Sequence, residues 1–401
     1  MNIEALRHEA ASWLAENWNG ERSKEFLETV VDQGWAAPSW PVEWFGRGLA
    51  PEVGQVIAQE FSRVDAPGAG QDISNLWANT VLASGSDELK SAHLRDLMLG
   101  RINMCLLYSE PGAGSDLAGL QTRADRDGDE WIINGQKVWT SGGRSADYAF
   151  LIARTDWDVP KHRGISFFFL PMNQPGVEVR ALRQATGDSR FNEVFLTDAR
   201  VGHDHMLGEI GRGWSVLQTA LAYERAVMGE TRRRGRKQTD DEAVRDADDE
   251  ATAPVPDLSL ISLAQQTGRS TDPVVRQQLT ALHTLVQVNE WNGRRAKAEL
   301  EQGTSSSIVS LGKLAMSNIL HTAGSLQAEL LGAEAMIGGE HSARAADATY
   351  AMLNAFFTSI GGGTDQIQRN IIGERVLGLP KEPEVDKNVP FKDVRKATVT
   401  A

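Results

Sequence analysis

The hydrophobic periodicity of this chain changes twice, and this change limits its fold more than any other feature. Up to about residue 102 apolar side chains recur at helical spacing, as at Leu6, Ala10 and Leu14. Short strand-like runs follow, and long helical repeats return after about residue 210. This order predicts an α+β multidomain chain with an N-terminal all-α domain at 1–102, a middle β-barrel or sandwich domain at 103–210, and a C-terminal four-helix bundle at 211–385.

Turn and boundary residues add detail to this order. Asn134-Gly135, between two apolar runs, predicts a β-hairpin turn. Thr271-Asp272-Pro273 predicts the start of a helix that runs to about Gln302. Residues 232–256 are charged and poor in apolar side chains, which predicts a mobile surface loop, and 386–401 form a tail.

Composition excludes several classes of function. The formal net charge of −13 argues against general nucleic-acid binding, because the phosphate backbone requires a basic face. No apolar run has the length of a membrane span, so membrane insertion is not expected. Cys105, the single cysteine, lies in an apolar run, which predicts a buried structural thiol and a cytoplasmic protein. The spacings typical of zinc sites, P-loops and serine hydrolases are missing from the sequence, so no metal site is expected.

One carboxylate falls within an apolar helical stripe. Leu217, Ala220, Leu221, Glu224 and Met228 share one helix face, since they follow the spacing i, i+3, i+4, i+7 and i+11. Burial there would raise the pKa of Glu224 towards the range of a general base. A buried structural glutamate paired with an arginine is the alternative.

Three further segments allow both a functional and a structural interpretation. Tyr108–Asp116 can present backbone N–H groups and Ser115 to a pyrophosphate, or can form an ordinary Gly-Pro turn. Trp139, before Thr140 and Ser141, can stack on a flat cofactor or belong to the core. Gly361–Gly363 precede Thr364, a helix N-cap, which suits an anion site or a tight interhelical turn.

Taken in order, these motifs resemble those of the acyl-CoA dehydrogenase family over nearly the whole chain. Tyr108–Asp116 (YSEPGAGSD) is similar to the family's flavin loop, and Trp131–Ser141 (WIINGQKVWTS) to its cofactor hairpin. Gly363–Arg369 (GTDQIQR) resembles its C-terminal signature. The resemblance implies the same three-part fold that the periodicity predicts.

The resemblance also implies an activity in fatty-acid or lipid catabolism, of the β-oxidation type. It implies bound FAD and oxidation of an acyl-CoA thioester to the trans-2-enoyl-CoA. A carboxylate removes the α proton while the β hydrogen passes as hydride to flavin N5, and hydrogen bonds polarise the thioester. An electron-transfer flavoprotein is the implied acceptor, and the implied assembly is a homo- or hetero-oligomer, either dimer or tetramer.

Site residues are implied by the resemblance, position by position. The implied cofactor-binding residues are Leu106, Tyr108, Ser109, Gly114, Ser115, Trp139, Thr140, Ser141, Thr364, Asp365 and Gln366. The implied substrate-binding residues are Ser115, Tyr223, Arg225, Gly362 and Gly363.

The chain departs from the family pattern in two places. Many members carry the catalytic Glu directly before the Gly-Thr of the signature, where this chain has Gly362, and a minority carry it in a Glu-Arg pair on the bundle helix, here Glu224-Arg225. The resemblance and the apolar stripe together make Glu224 the expected base. The family's Arg-x-x-Phe-Gly segment has no counterpart, and its Gln-x-x-Gly-Gly reads Glu329–Ala333 here. The altered adenine region leaves a non-catalytic partner subunit of a heteromer as one alternative. A flavin oxidase or monooxygenase similar to the family is another, against which Glu224 argues.

Overall fold

A computed structural model of the chain describes residues 3–231, 257–301, 308–337, 341–384 and 386–394. These residues form two compact units. The first lies within Met1–Leu182, Ser189–Ala251 and Glu384–Ala401. The second lies within Arg183–Asp188 and Thr252–Pro383. The loop predicted at 232–256 lies outside the described residues.

The first unit holds the N-terminal helices, a β-sheet and one long helix that comes after the sheet. Its helices are α1 (Ile3–Asn17), α2 (Lys24–Asp32), α3 (Pro51–Arg63), α4 (Gln71–Ser74), α5 (Leu76–Ser84), α6 (Asp87–Met98) and α7 (Gly213–Thr231). Its strands are β1 (Met104–Leu107), β2 (Arg123–Asp127), β3 (Glu130–Ser141), β4 (Tyr148–Arg154), β5 (Ile165–Pro171), β6 (Val177–Leu182), β7 (Phe191–Gly202) and β8 (Met206–Leu207).

The N-terminal helices form where the periodicity predicts them. Leu6, Ala10 and Leu14 of α1 are buried, as their common face requires. Helix α2 begins after Ser23, whose Oγ accepts a hydrogen bond of 3.0 Å from the N–H of Phe26 and so caps the helix. The prediction of an all-α N-terminal region is confirmed.

The strands form one eight-stranded mixed sheet in the order β6-β7-β3-β2-β4-β5-β8, with β1 parallel to β4. Both faces of its central strands are buried. Phe150 of β4 packs in a core with the N-terminal helices, whereas its neighbour Leu151 packs on the opposite face. Trp131 of β3 and Val194 of β7 share the core of Leu151, so the sheet curls around its own side chains. The predicted β domain is present as this curled sheet.

The prediction of a hairpin turn at Asn134-Gly135 is wrong. Strand β3 runs through this dipeptide without interruption, and the chain turns instead between β2 and β3 at Gly128, whose φ is +63°. Asn134 exchanges hydrogen bonds with Asp198 of β7: Nδ2 donates to Oδ1 over 3.0 Å, and Oδ1 accepts from the N–H of Asp198 over 2.9 Å. A Cβ on Gly135 would lie 2.8 Å from Thr122 Cα. The dipeptide therefore marks a bulge where two backbones come close.

The second unit is a helical bundle. Its helices are α8 (Asp257–Gln266), α9 (Pro273–Glu301), α10 (Val309–Leu331), α11 (Ala343–Ile360) and α12 (Asp365–Ile371). Asp272 caps α9 by accepting the N–H of Val274 over 2.9 Å. Helix α10 packs against α8, α9 and α11, and it shares one apolar core with α8 and α9. The predicted start of α9 and the predicted bundle are confirmed.

Residues 386–394, the C-terminal strap, pack on the loop between β4 and β5 within the first unit. The N–H of Phe391 donates to Val159 O over 2.9 Å, and the N–H of Lys392 donates to Trp157 O over 3.0 Å. Lys392 also pairs with Asp158. Only 3% of Phe391 is exposed. The start of the predicted tail is therefore a packed part of the β region.

Cys105 is a buried thiol in β1, as its apolar neighbours predict. Burial raises its pKa to about 12, because the thiolate would lose its hydration. Among the described helices, none is both long enough and apolar enough to span a bilayer.

Candidate active site

The loop Tyr108–Asp116 leaves β1 and exposes its glycine-rich tip. Glu110 and Ala113 exchange backbone hydrogen bonds of 3.0 Å in each direction, which closes a tight turn. Gly114 and Ser115 come after that turn and are exposed. A Cβ on Gly114 would meet no atom within 4 Å. The tip therefore leaves open space into which its backbone and the Ser115 hydroxyl can reach.

Trp139 lies next to this loop in an unusual backbone conformation. Its φ is +64°, in the left-handed region that a bulky residue rarely occupies. The pairing of β3 with β7 shifts register between Lys137 and Thr140, so Trp139 sits in a β-bulge. Its side chain is 56% exposed and meets Phe191 only edge-on. One face of the indole is thus held out from the sheet.

Three donors of β3 join this bulge to the carbonyl groups of residues 106–109. Lys137 Nζ donates to Tyr108 O over 3.0 Å, and the N–H of Val138 donates to Ser109 O over 2.9 Å. Thr140 Oγ1 donates to Leu106 O over 3.2 Å. The structure thereby brings the predicted residues of the two segments together. They are Leu106, Tyr108 and Ser109 of the first segment and Trp139, Thr140 and Ser141 of β3. The Thr140 hydroxyl itself points into the sheet.

A buried ion pair underlies the loop, and no pattern in the sequence indicates it. Lys137 Nζ lies 2.9 Å from Glu110 Oε1, and the Lys137 side chain is completely buried. Glu110 Oε2 accepts the N–H of Gln121 over 2.7 Å, and Oε1 accepts that of Thr122 over 2.8 Å. Although burial opposes ionisation, the Lys137 ammonium and these donors hold the pKa of Glu110 below its ordinary value. Burial lowers the pKa of Lys137, and Glu110 partly offsets this effect.

Arg154 at the end of β4 holds the chain that follows this loop. Its guanidinium donates to the carbonyl groups of Ala118, Leu120 and Lys161 over 2.7–3.2 Å. It also lies 3.4 Å above the ring of Phe391 in the C-terminal strap. Burial lowers the pKa of Arg154 to about 10. The strap thus covers a cation that fixes the chain after the loop.

Helix α7 carries the predicted base. A Cβ on Gly213 at its start would lie 2.6 Å from Ser166 Cα, so the helix begins in close contact with β5. Leu217 and Ala220 are buried, in agreement with the predicted face. The side chains of Glu224 and Arg225 lie outside the described part of the chain.

Tyr223, one residue before the predicted base, is half-buried beside α4. Burial raises the pKa of Tyr223, and the Asp72 carboxylate adds to this effect. Asp72 Oδ2 in turn accepts hydrogen bonds from the N–H and the Oγ of Ser39, over 3.1 and 2.6 Å. These contacts join α7, α4 and the segment before α3.

The C-terminal signature belongs to the second unit. Gly362 and Gly363 have φ of +63° and +88°, and Gly362 is exposed. Thr364 caps α12, since its Oγ1 accepts the N–H of Ile367 over 3.2 Å. Gln366 is exposed on the first turn of α12. Gln368 Nε2 donates to Gly362 O over 3.2 Å and fixes the glycine turn.

Asp365 points into the bundle. Its Oδ2 accepts from Ser317 Oγ over 2.7 Å, and its Oδ1 lies 3.4 Å from Lys313 Nζ. Burial lowers the pKa of Lys313, and Asp365 works against that shift. Lys313 and Ser317 are one turn apart on α10, and that spacing is their only signal in the sequence. Asp365 therefore anchors α12 to α10.

The three regions of the chain match three family models. Residues 3–101 match the N-terminal domain of acyl-CoA dehydrogenase, residues 105–199 its middle domain, and residues 259–377 its C-terminal domain. The chain belongs to the acyl-CoA dehydrogenase family. It is therefore an FAD-dependent acyl-CoA dehydrogenase, an oxidoreductase.

Individual proteins agree with this assignment. Acyl-CoA dehydrogenase IpdE1 of Mycobacterium tuberculosis is 32% identical over 409 aligned residues, which cover 95% of this chain and 99% of IpdE1. A solved variant of the Tcur3481-Tcur3483 steroid ACAD has a TM-score of 0.66 at 25% identity, covering 95% of this chain and 99% of its own. The ChsE4-ChsE5 complex from Mycobacterium tuberculosis gives a TM-score of 0.63 at 27% identity, with 95% and 98% coverage.

The described residues contain no group of three or more His, Cys, Asp or Glu side chains placed to hold a metal ion.

Proposed function

We propose that Glu224 is the base that removes the α proton of the acyl-CoA. The observation that carries this proposal is the state of Gly362, where many family members have their catalytic Glu. Gly362 has a φ of +63°, a conformation that L side chains rarely adopt. Because residue 362 has no side chain, a carboxylate at another position has to act as the base.

The position of Glu224 on α7 supports this role. Residue 224 comes two helical turns after Leu217, which is fully buried, and one turn after Ala220. Helix α7 packs against α4, α5 and β5 of the unit that carries the flavin loop. A carboxylate near such an apolar face resists ionisation, which favours proton transfer close to neutral pH.

We propose that the exposed loop and the Trp139 bulge hold the flavin. FAD, when bound, supplies the chemistry of accepting the β hydrogen as hydride. The indole of Trp139 offers an exposed apolar face for stacking. Its backbone is strained, and strain of this kind is common at functional sites. Ser109, Gly114, Ser115 and Ser141 supply backbone or hydroxyl donors near it, while Thr140 acts through its backbone.

The signature residues are proposed to bind the remaining groups. Thr364 and Gln366 serve the diphosphate end of FAD, and Asp365 holds α12 in place for them. The N–H groups of Gly362 and Gly363 are proposed to polarise the thioester oxygen as negative charge develops there. Ser115, Tyr223 and Arg225 complete the proposed substrate contacts.

The similar proteins support a narrower proposal for substrate and partners. One similar structure is a steroid ACAD and another is a complex of two named proteins, which supports a bulky polycyclic acyl group and a heteromeric assembly. An electron-transfer flavoprotein is the proposed electron acceptor. The single reduced thiol, Cys105, supports a cytoplasmic location.

The experiment that tests the base uses Glu224→Gln with Glu209→Gln, an exposed position before α7, as its control. Each purified holoenzyme is mixed anaerobically with a panel of acyl-CoA thioesters, including steroid side-chain thioesters, and flavin bleaching is monitored. Glu224→Gln should keep its flavin spectrum and lose roughly 10²–10⁴-fold in the rate of bleaching, the usual contribution of a general base. Reduction of Glu224→Gln at the wild-type rate would show that another group is the base.

A further inference from the structure

We infer that the buried pair Glu110–Lys137 is a positioning device that fixes the flavin loop against the Trp139 bulge. This inference rests on the proposed assignment of the loop and the bulge to the flavin. It concerns residues that lie beneath the cofactor site, and it requires no contact between the pair and the cofactor.

The two side chains of the pair hold the chain at the start of the loop and just beyond its end. Lys137 reaches the start of the loop at Tyr108 O, and Glu110 reaches the chain after the loop at the N–H groups of Gln121 and Thr122. Every exposed residue of the tip lies between these two attachments. The pair therefore ties the segments on both sides of the loop's exposed tip to one point of β3.

The bulge that exposes Trp139 begins directly after the buried lysine. Lys137 pairs in register with Val194, and the next regular pair is Thr140 with Asn192. Lys137 thus anchors the loop with its side chain and starts the bulge with its backbone. A shift of Lys137 would therefore move both halves of the proposed flavin site together.

Variants of a buried ion pair can distinguish an effect on stability from an effect on the position of the loop. Such a pair contributes little to stability on balance, because the desolvation of both charges offsets their attraction. Removing one partner leaves a buried charge without its counter-ion and destabilises the fold, whereas removing both charges is often tolerated. A double variant of Glu110 and Lys137 can therefore regain stability without regaining the geometry of the loop.

The test compares Lys137→Met, Glu110→Gln and the double variant with the wild type. FAD is removed from each protein, its urea midpoint is measured, and it is then titrated with FAD while quenching of flavin fluorescence is recorded. Lys137→Met should lower the urea midpoint and weaken FAD binding at least tenfold. The double variant should recover at least half of the lost midpoint shift, yet its FAD affinity should stay at least tenfold below the wild type.

A matched control removes an exposed cation from the same sheet. Arg200 on β7 pairs with Glu130 and Asp127 at the surface, and Arg200→Met should leave both the midpoint and the FAD affinity unchanged. If the double variant regains wild-type FAD affinity together with its stability, the pair only balances charge and the inference is wrong. If Lys137→Met does not fold, Glu110→Gln is the variant that tests the positioning role. Wild-type FAD affinity in folded Glu110→Gln would also overturn the inference.

The outcome of this test does not depend on the proposed base. Wild-type protein that binds FAD but is bleached by no acyl-CoA would contradict the proposed function, while the differences in FAD affinity among the variants would still decide the role of the pair.

Discussion

Replacing Phe391 tests whether the C-terminal strap is held by one aromatic ring. The ring is buried, the Arg154 guanidinium lies 3.4 Å above it, and the Trp157 ring lies 5.5 Å away. Phe391→Ala removes the apolar contact and the contact with the cation together. Phe391→Leu retains most of the apolar volume and removes only the aromatic face.

The expected costs can be assigned to these contacts. A buried Phe→Ala change costs about 3–5 kcal/mol. A desolvated cation–π contact contributes about 2 kcal/mol, which is the main loss expected in Phe391→Leu. Phe195→Leu is the matched control, because Arg180 lies 4.5 Å over that ring while 58% of the Arg180 side chain is exposed. An exposed contact of this kind is worth only about 0.5–1 kcal/mol.

Hydrogen exchange of the strap measures the opening that these changes promote. The N–H groups of Phe391 and Lys392 are bonded to carbonyl groups of the β4–β5 loop, so their exchange reports separation of the strap from that loop. Since ~1.4 kcal/mol corresponds to a tenfold change, Phe391→Ala should speed exchange by about 10²–10⁴-fold and Phe391→Leu by about 30-fold. Exchange in Phe195→Leu should stay at the wild-type rate there. A change below about threefold in Phe391→Ala would refute this reasoning, because the ring would then not hold the strap.

Three further predictions concern the β region. Trp139→Gly should stabilise the FAD-free protein by about 1 kcal/mol, because it relieves the φ of +64°, and it should weaken FAD binding. A loss of stability as large as the loss in FAD-binding free energy would argue against stored strain. Gly135→Ala should lower the free energy of unfolding by about 1–3 kcal/mol because its Cβ would meet Thr122, whereas Gly114→Ala, in open space, should leave the urea midpoint unchanged and reduce FAD affinity. Burial raises the pKa of Cys105 from 9.0 to about 12, so the thiol of the unfolded chain ionises first. The contribution of Cys105 to stability is therefore constant below pH 9 and is lost as pH rises from 9 to 12. Urea midpoints over this range should fall more steeply in the wild type than in Cys105→Ala, and identical slopes would contradict the assigned burial.

The sequence was sufficient for features that depend on local periodicity. Leu6, Ala10 and Leu14 specify one helix face by spacing alone, and Asp272 before Pro273 marks the start of α9 by cap chemistry. Asn134-Gly135 misled because the same dipeptide suits a tight turn and a bulge. The choice between them depends on Asp198, which lies 64 residues further along the chain.

The site residues that the sequence did not indicate are those whose role depends on distant partners. Lys137 resembles any strand lysine until Glu110 and the Tyr108 carbonyl are seen beside it. Asp365 belongs to a recognisable motif, but its orientation towards Ser317 depends on how α12 meets α10. The motif therefore locates the site, whereas the direction of each side chain depends on tertiary packing. The role of Glu224 and the domain boundaries at 102 and 210 remain predictions.

The C-terminal strap has a consequence for how the protein is made. Arg154 leaves the ribosome roughly 240 residues before the ring that covers it, a delay of about 10–50 s at ordinary rates of synthesis. During that time the buried arginine beneath the loop has no aromatic cover from Phe391. The β region is thus completed by a segment that is synthesised roughly 240 residues later. A premature stop before Phe391, or a tag that pulls the strap away, should therefore disturb the β region around Arg154.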